Sequence, residues 1–169
     1  MDAAAPEMIE ALKEEARVAY REAMAHLAAA VTIVTTDGEG GRAGFAATAV
    51  CSLSDTPPTL LVCLNKASSA HAAVSVNGIV CVNVLAAHHE NISRVFGGRT
   101  PMTERFESGT WEIGDTGAPV LADALTAFEC RIGHVVDGGT HDIFMAEVLA
   151  IRSTTDKPLI YFRRSYQSL

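Results

Sequence analysis

Residues 44–71 read GFAATAVCSLSDTPPTLLVCLNKASSAH. Two strand-like runs flank the Pro57-Pro58 pair, which turns the chain between them. The first run, Phe45 to Ser54, is mostly Ala, Thr, Cys and Ser and carries few large side chains. The second, TLLVCLN, is aliphatic and stops at Asn65-Lys66-Ala67-Ser68-Ser69. A thin strand brings its backbone within reach of either a flat ligand or a neighbouring element, and the local sequence favours neither.

Reading outward, the two-residue period continues on both sides. AVTIVTTDG, from Ala30, predicts a strand running into a turn at Asp37-Gly38, and GRAGFAATAVCSLS predicts a single second strand. IVCVNVLA is a fourth, and TAFECRIGHVVDGGTHDIFMAEVLAIR is a hairpin turning at Asp137-Gly138-Gly139. PLIYFRRSYQSL gives a final strand and a tail, and residues 99–121 read as irregular. Helical spacing predicts a helix from Ile9 to about Ala28, with Pro6 just before it. It also predicts a short helix capped by Ser68 or Ser69 and stopped by Asn77-Gly78, and another in HHENISRVFGG. Closely spaced strands, few helices and no strand–helix–strand rhythm predict a mainly β chain folded as a closed antiparallel barrel with peripheral helices. One domain is expected over 1–169, with the N-terminal helix in 1–28 and the barrel in 29–169.

The 169 residues are 49% hydrophobic, enough for one packed core. With 13 basic and 20 acidic side chains the net charge is −7, which argues against a nucleic-acid partner. The four cysteines form no CxxC pair and each sits in an apolar strand-like run, so buried free thiols are expected. The chain shows no basic segment followed by an apolar run, and no stretch of membrane-spanning length. A cytoplasmic protein without a membrane partner is the expectation.

The segment Asn65-Lys66-Ala67-Ser68-Ser69 joins a strand end to a helix start. Unpaired helix amides, a lysine and two hydroxyls there would make an anion site, phosphate being the obvious occupant. A solvated, Ser-capped helix is the plainer alternative. His141, beside the Gly138-Gly139 tip, reads either as a group at a site mouth or as an exposed turn residue. His88 and His89 are adjacent on a helix start and would point apart, so no metal site is expected. His134 lies in a strand and reads as packed. Arg163, Arg164 and Tyr166 cluster near the C-terminus, suited to covering a ligand or meeting a partner subunit. No GxGxxG follows a strand and no GxSxG is present.

As an ordered set these segments resemble the short-chain flavin reductase family. The resemblance runs from about Arg21 onward through AGFAATAVCSLSDTPPTLLVCLNKASS, VCVNVL, FGGRTPMTERF, FECRI, GTHDIFMAEV and FRRSYQSL. Its wording is closest to the subgroup serving bacterial pyrimidine degradation. The resemblance implies a split antiparallel β-barrel of Greek-key type and a homodimer. It also implies an oxidoreductase using NADH or NADPH to reduce FMN, or alternatively FAD, for a partner monooxygenase. Thr48, Ala49, Val50, Cys51 and Ser52 match the segment along the flavin ring. Asn65, Lys66, Ser68 and Ser69 match the ribityl and phosphate segment, and Phe96 and Gly97 a loop beside the flavin. Tyr166 matches a C-terminal aromatic near the ring. His141 matches the histidine of the family's Gly-Asp-His signature near the nicotinamide, with Thr140 here in place of the Asp. Three other readings accompany this one: a flavin-dependent reductase of corrin cobalt, a flavin-binding module without turnover, and a structural barrel with no cofactor.

Overall fold

The computed structural model describes residues 4–169; the first three positions of the predicted N-terminal segment lie outside that range. Helix α1 spans Ala4–Met24, four residues short of the expected end, and takes Pro6 into its first turn, where a missing N–H costs no helical bond. After β1 (Ala29–Ala30), β2 (Thr32–Thr36) runs through the middle of the protein with all five residues buried. Its β-branched side chains suit a pleated, enclosed strand. The buried hydroxyls are satisfied: Thr32 Oγ1 donates to Ala47 O at 2.8 Å and Thr36 Oγ1 to Ile79 O at 2.7 Å.

The predicted single strand after the first turn is two: β3 (Ala43–Ala47) and β4 (Val50–Asp55), broken at Thr48-Ala49. The chain then passes through the Thr56-Pro57 turn into β5 (Pro58–Asn65), helix α2 (His71–Asn77) and β6 (Ile79–Val84). A 3₁₀ turn at Ala87–His89 leads into α3 (Glu90–Gly97). The stretch read as irregular contains a helical turn, α4 (Met102–Arg105), and a small hairpin of β7 (Trp111–Ile113) with β8 (Pro119–Leu121). The long hairpin stands as predicted, with β9 (Thr126–Asp137) and β10 (His141–Ser153) in register from Asp142 opposite Asp137. The C-terminal tail is also a strand: β11 (Leu159–Phe162) and β12 (Ser165–Ser168) form a hairpin turned by Arg163 and Arg164, at φ 49° and 59°. Two left-handed residues match the twist of a two-residue hairpin.

Seven strands form one antiparallel sheet in the order β3-β2-β6-β9-β10-β5-β4. Its two edge strands are consecutive in sequence, so the sheet curls until Thr48-Ala49 joins one edge to the other: a split barrel. β1, β11 and β12 form a separate three-stranded sheet. One core fills the barrel around Val34, Val62, Val82 and Phe144. A second lies under α3 around Ile33, Leu85, Phe96 and Leu121.

Candidate active site

A cleft of about 430 Å³ opens where the two sheet edges meet. One wall is Phe45, Ala46, Ala47, Thr48 and Ala49; across it lie Cys63, Leu64, Asn65, Ser68 and Ser69. Phe96, Gly97, Gly98, Arg105 and His141 complete the lining. Of the expected site residues, the structure brings Thr48, Ala49, Asn65, Ser68, Ser69, Phe96, Gly97 and His141 together.

The thinness of β3 has two causes. Gly44 faces the second core, where a Cβ would meet Phe96 Cε1 at 2.7 Å. Phe96 in turn packs edge-on against Phe106, ring centroids 5.2 Å apart, so there the neighbouring-element reading holds. Ala46 to Ala49 instead border open space, and the bend at Thr48-Ala49 leaves both residues outside the β2–β3 and β4–β5 ladders.

The turn after β5 is held by its own polar groups. Asn65 Oδ1 accepts from Ala67 N at 2.8 Å, and Ser68 N donates to Asn65 O at 2.9 Å. Ser68 was expected as a helix cap, with Ser69 the alternative; α2 starts only at His71 with Ala70 as its N-cap, because Ser68 Oγ accepts the Ala70 amide and closes a turn before the helix. Ser69 stays exposed in the cleft lining. The helix-terminus anion site is thus replaced by a polar turn.

Lys66 does not line the cleft. Its Nζ donates to Asp137 Oδ1 at 2.7 Å and lies 3.4 Å from Asp142 Oδ1. The hydrogen bond to Asp137 raises the ammonium above its ordinary value. Asp142 also meets His71, Nε2 to Oδ2 at 2.7 Å. Together with Lys66 N donating to Thr140 O, these contacts clamp the β9–β10 tip to the turn after β5. His141 sits on that tip opposite Asn65, its Nδ1 3.0 Å from Thr140 Oγ1.

Val50, Cys51 and Ser52 lie beyond the cleft. Val50 packs against the barrel core, while Cys51 and Ser52 are exposed, so the expectation of four buried thiols holds for Cys81 and Cys130 but fails at Cys51 and at Cys63, which is half-buried in the cleft wall. Tyr166 borders an adjoining cleft of about 240 Å³, which shares Ala46, Ala47, Thr48 and Gly97 with the first. Its hydroxyl is 2.9 Å from Ser93 Oγ and Arg94 lies 4.9 Å from its ring centre. Arg163 and Arg164 turn towards α1: Arg163 N donates to Ala25 O and Arg164 Nη2 to Glu22 Oε1. His134 is exposed on β9 rather than packed.

Arg105 was missed by the sequence reading. It ends α4 and is buried, with Nη1 donating to Gly44 O at 2.8 Å and Phe96 O at 3.3 Å, and Nε to Thr100 O at 3.0 Å. Nothing in TPMTERF separates it from an ordinary exposed helical arginine.

His88 and His89, expected to diverge, converge on Asp123: His88 Nε2 is 3.1 Å from Oδ2 and His89 Nε2 3.1 Å from Oδ1. The tight 3₁₀ turn causes this, holding the rings 3.9 Å apart. With Asp123 they form a group whose ligand atoms lie within 4.8 Å of one another. His89 Nδ1 accepts the Ala86 amide, so the neutral ring carries its proton on Nε2 and has no lone pair there for a cation.

Residues 24–169 match the family model described as Flavin reductase like domain. The FMN reductase (NADH) RutF of Agrobacterium fabrum is 58% identical over 157 residues, covering 92% of this chain and 90% of its own. Among solved structures, a nitrilotriacetate monooxygenase component B homologue from Mycobacterium thermoresistibile superposes with a TM-score of 0.87. It is 29% identical, covering 93% of this chain and 88% of its own. The Streptomyces globisporus NADH:FAD oxidoreductase SgcE6, solved with NAD and FAD fragments, gives a TM-score of 0.83. It is 28% identical, covering 89% of this chain and 91% of its own.

Proposed function

The chain belongs to the flavin reductase like domain family, and we propose on that footing that it is an NADH-dependent FMN reductase serving a separate monooxygenase. The observation that carries this reading is the cleft itself. A shallow wall of Ala46, Ala47 and Ala49 lies across from the polar turn of Asn65, Ser68 and Ser69. That donor set fits a flavin, with a flat apolar face at one end and hydroxyl and amide groups for a ribityl chain at the other.

Bound FMN would supply the hydride acceptor and NADH the hydride. The protein's part is to place the two and keep their faces together. Ala46 to Ala49 present backbone without bulk, and the amides of Thr48 and Ala49, outside both ladders, suit the polar edge of the ring. Asn65, Ser68 and Ser69 take the ribityl side, and Phe96 and Gly97 bound the opposite rim. His141 stands at the mouth on a clamped hairpin tip, placed to orient the nicotinamide nucleotide. Lys66 acts there through Asp137 and Asp142 as a positioning residue. Val50, Cys51, Ser52 and Tyr166 act at the margin of the ring site.

The same reading assigns a homodimer. In its support, α1 leaves Leu12, Tyr20 and Met24 exposed, and Val135, Leu149 and Ile151 are exposed on the long hairpin. Among the described residues no helix is long and apolar enough to cross a membrane. We place the protein in the cytoplasm, where NADH is held.

The deciding experiment mixes the protein anaerobically with FMN and adds NADH. Bleaching of the flavin's visible absorption at catalytic protein concentration is the expected result. Bound flavin that neither NADH nor NADPH reduces would overturn the reductase reading.

A further inference from the structure

His71 Nε2 lies 2.7 Å from Asp142 Oδ2, and the contact is shielded, the two side chains being 22% and 14% exposed. Facing a carboxylate, Nε2 carries the proton and donates it, whether the ring is neutral or charged. The Lys66–Asp137 pair beside it is 37% and 74% exposed, so solvent screens that contact far more. Lys66 reaches Asp142 only at 3.4 Å. His71 is therefore the stronger hold on Asp142.

The two partners join the two sides of the cleft. His71 opens α2, directly behind the turn that puts Ser68 and Ser69 in the cleft lining, and its amide donates to Ser68 O at 3.0 Å. Its ring meets Phe144 edge-on, centroids 6.1 Å apart, and Phe144 is fixed in the barrel core. Asp142 follows His141 in β10, where the two pair with Leu64 and Asn65. Successive strand side chains point to opposite faces, so tying down Asp142 on one side sets where His141 projects on the other. His71 itself does not line the cleft.

We propose that His71 is a positioning residue for the nicotinamide nucleotide: through Asp142 it holds His141 in the pose that receives NADH. The inference rests on the reductase reading above. A His141 set in place beforehand loses little freedom when the nucleotide arrives. The His71 hydrogen bond is then felt in nucleotide affinity, and not in flavin affinity or in the hydride-transfer step.

The test compares wild type with His71→Ala, His71→Gln, His141→Ala and the double variant His71→Ala with His141→Ala. The amide nitrogen of the Gln variant can take the place of Nε2. Four quantities are read: KM for NADH, kcat, the FMN dissociation constant by fluorescence titration, and the calorimetric affinity of the FMN-loaded protein for NAD+. His71→Ala should raise KM and weaken NAD+ by about threefold to tenfold, the loss of one shielded hydrogen bond, with kcat and FMN affinity within about twofold. His71→Gln should recover most of that loss. The double variant should lose no more nucleotide affinity than His141→Ala alone, because one residue acts through the other. Additive losses would make His71 independent of His141 and overturn the proposal. So would an unchanged KM, a Gln variant no better than the Ala one, or an equal loss of FMN affinity, which is what a general loosening of α2 produces. His71→Phe keeps a ring against Phe144 without a donor and serves if His71→Ala fails to fold. Wild-type protein that binds FMN without NADH reducing it would instead overturn the reductase reading, and this inference with it.

Discussion

Lys66 Nζ lies 2.7 Å from Asp137 Oδ1, tying the turn after β5 to the tip of the β9–β10 hairpin. Asp137 is held in turn: its Oδ1 accepts the Gly139 amide at 2.7 Å, and the hydrogen bond from Lys66 lowers its carboxyl below the ordinary carboxylate value. A carboxylate shared by an ammonium and a turn amide fixes where the following residues sit, and His141 is four positions on. Lys66→Ala should therefore leave the FMN dissociation constant within about threefold of wild type, since an exposed ion pair contributes little. The KM for NADH should rise as the tip loosens. Flavin titration beside steady-state kinetics checks both; a tenfold loss of FMN affinity would put Lys66 on the phosphate after all.

Gly44 and Phe96 make a second close relationship. An added Cβ would sit 2.7 Å from Phe96 Cε1, and Phe96 is wedged against Phe106 and Trp111 with nowhere to retreat. Gly44→Ala is expected to destabilise the fold by about 1–3 kcal/mol through overpacking. Urea unfolding measures it, and a change below 0.5 kcal/mol, on the order of a surface substitution, would contradict the close packing.

The histidine pair gives stability a pH dependence. Burial lowers His89 below its ordinary value of 6.5. The unfolded chain therefore takes up a proton before the native protein does, and stability falls as pH drops below about 6.5, levelling once native His89 also protonates. Asp123 adds a later step: although burial opposes it, the hydrogen bond from His88 and the His89 ring 3.1 Å away lower the carboxyl below 3.8, so its contribution is lost only as pH falls beneath that value. His89→Gln should flatten the decline between pH 7 and about 5 and leave the lower step. Denaturant midpoints across that range decide it; an unchanged slope would remove His89 as its source.

The exposed apolar residues of α1 predict a concentration-dependent dimer. Leu12 and Tyr20 are 58% and 64% exposed. Leu12→Glu with Tyr20→Glu should shift the mass seen by light scattering from twice that of the chain towards the single chain. The circular dichroism of the barrel should not change. A wild-type protein that is monomeric at every concentration would refute the dimer.

Much of this was readable in advance where the determinant was local. The long hairpin announces itself through two glycines between alternating runs, though the register slips near Ala146 and again before Ala150 are not written there. The break at Thr48-Ala49 does not, because Ala and Thr keep the alternation going while the bend is imposed by closure of the sheet. Ser68 looked like a helix cap because a serine that closes a turn and one that caps a helix use the same hydroxyl in the same way. Arg105 was illegible for a different reason: its partners Gly44 and Phe96 are 61 and 9 residues distant, and burial made it noteworthy. The C-terminal strand was hidden by Arg163 and Arg164, which occupy left-handed positions more often given to glycine or asparagine.

The seam between β3 and β4 has a kinetic side. Two residues join these strands, yet five others stand between them across the sheet. The barrel can shut only after distant segments have paired, so closure belongs to the late part of folding. A ligand lying in the cleft touches β3 on one side of that seam and β5, the neighbour of β4, on the other. It would act as a latch, slowing unfolding while leaving the speed of folding nearly unchanged.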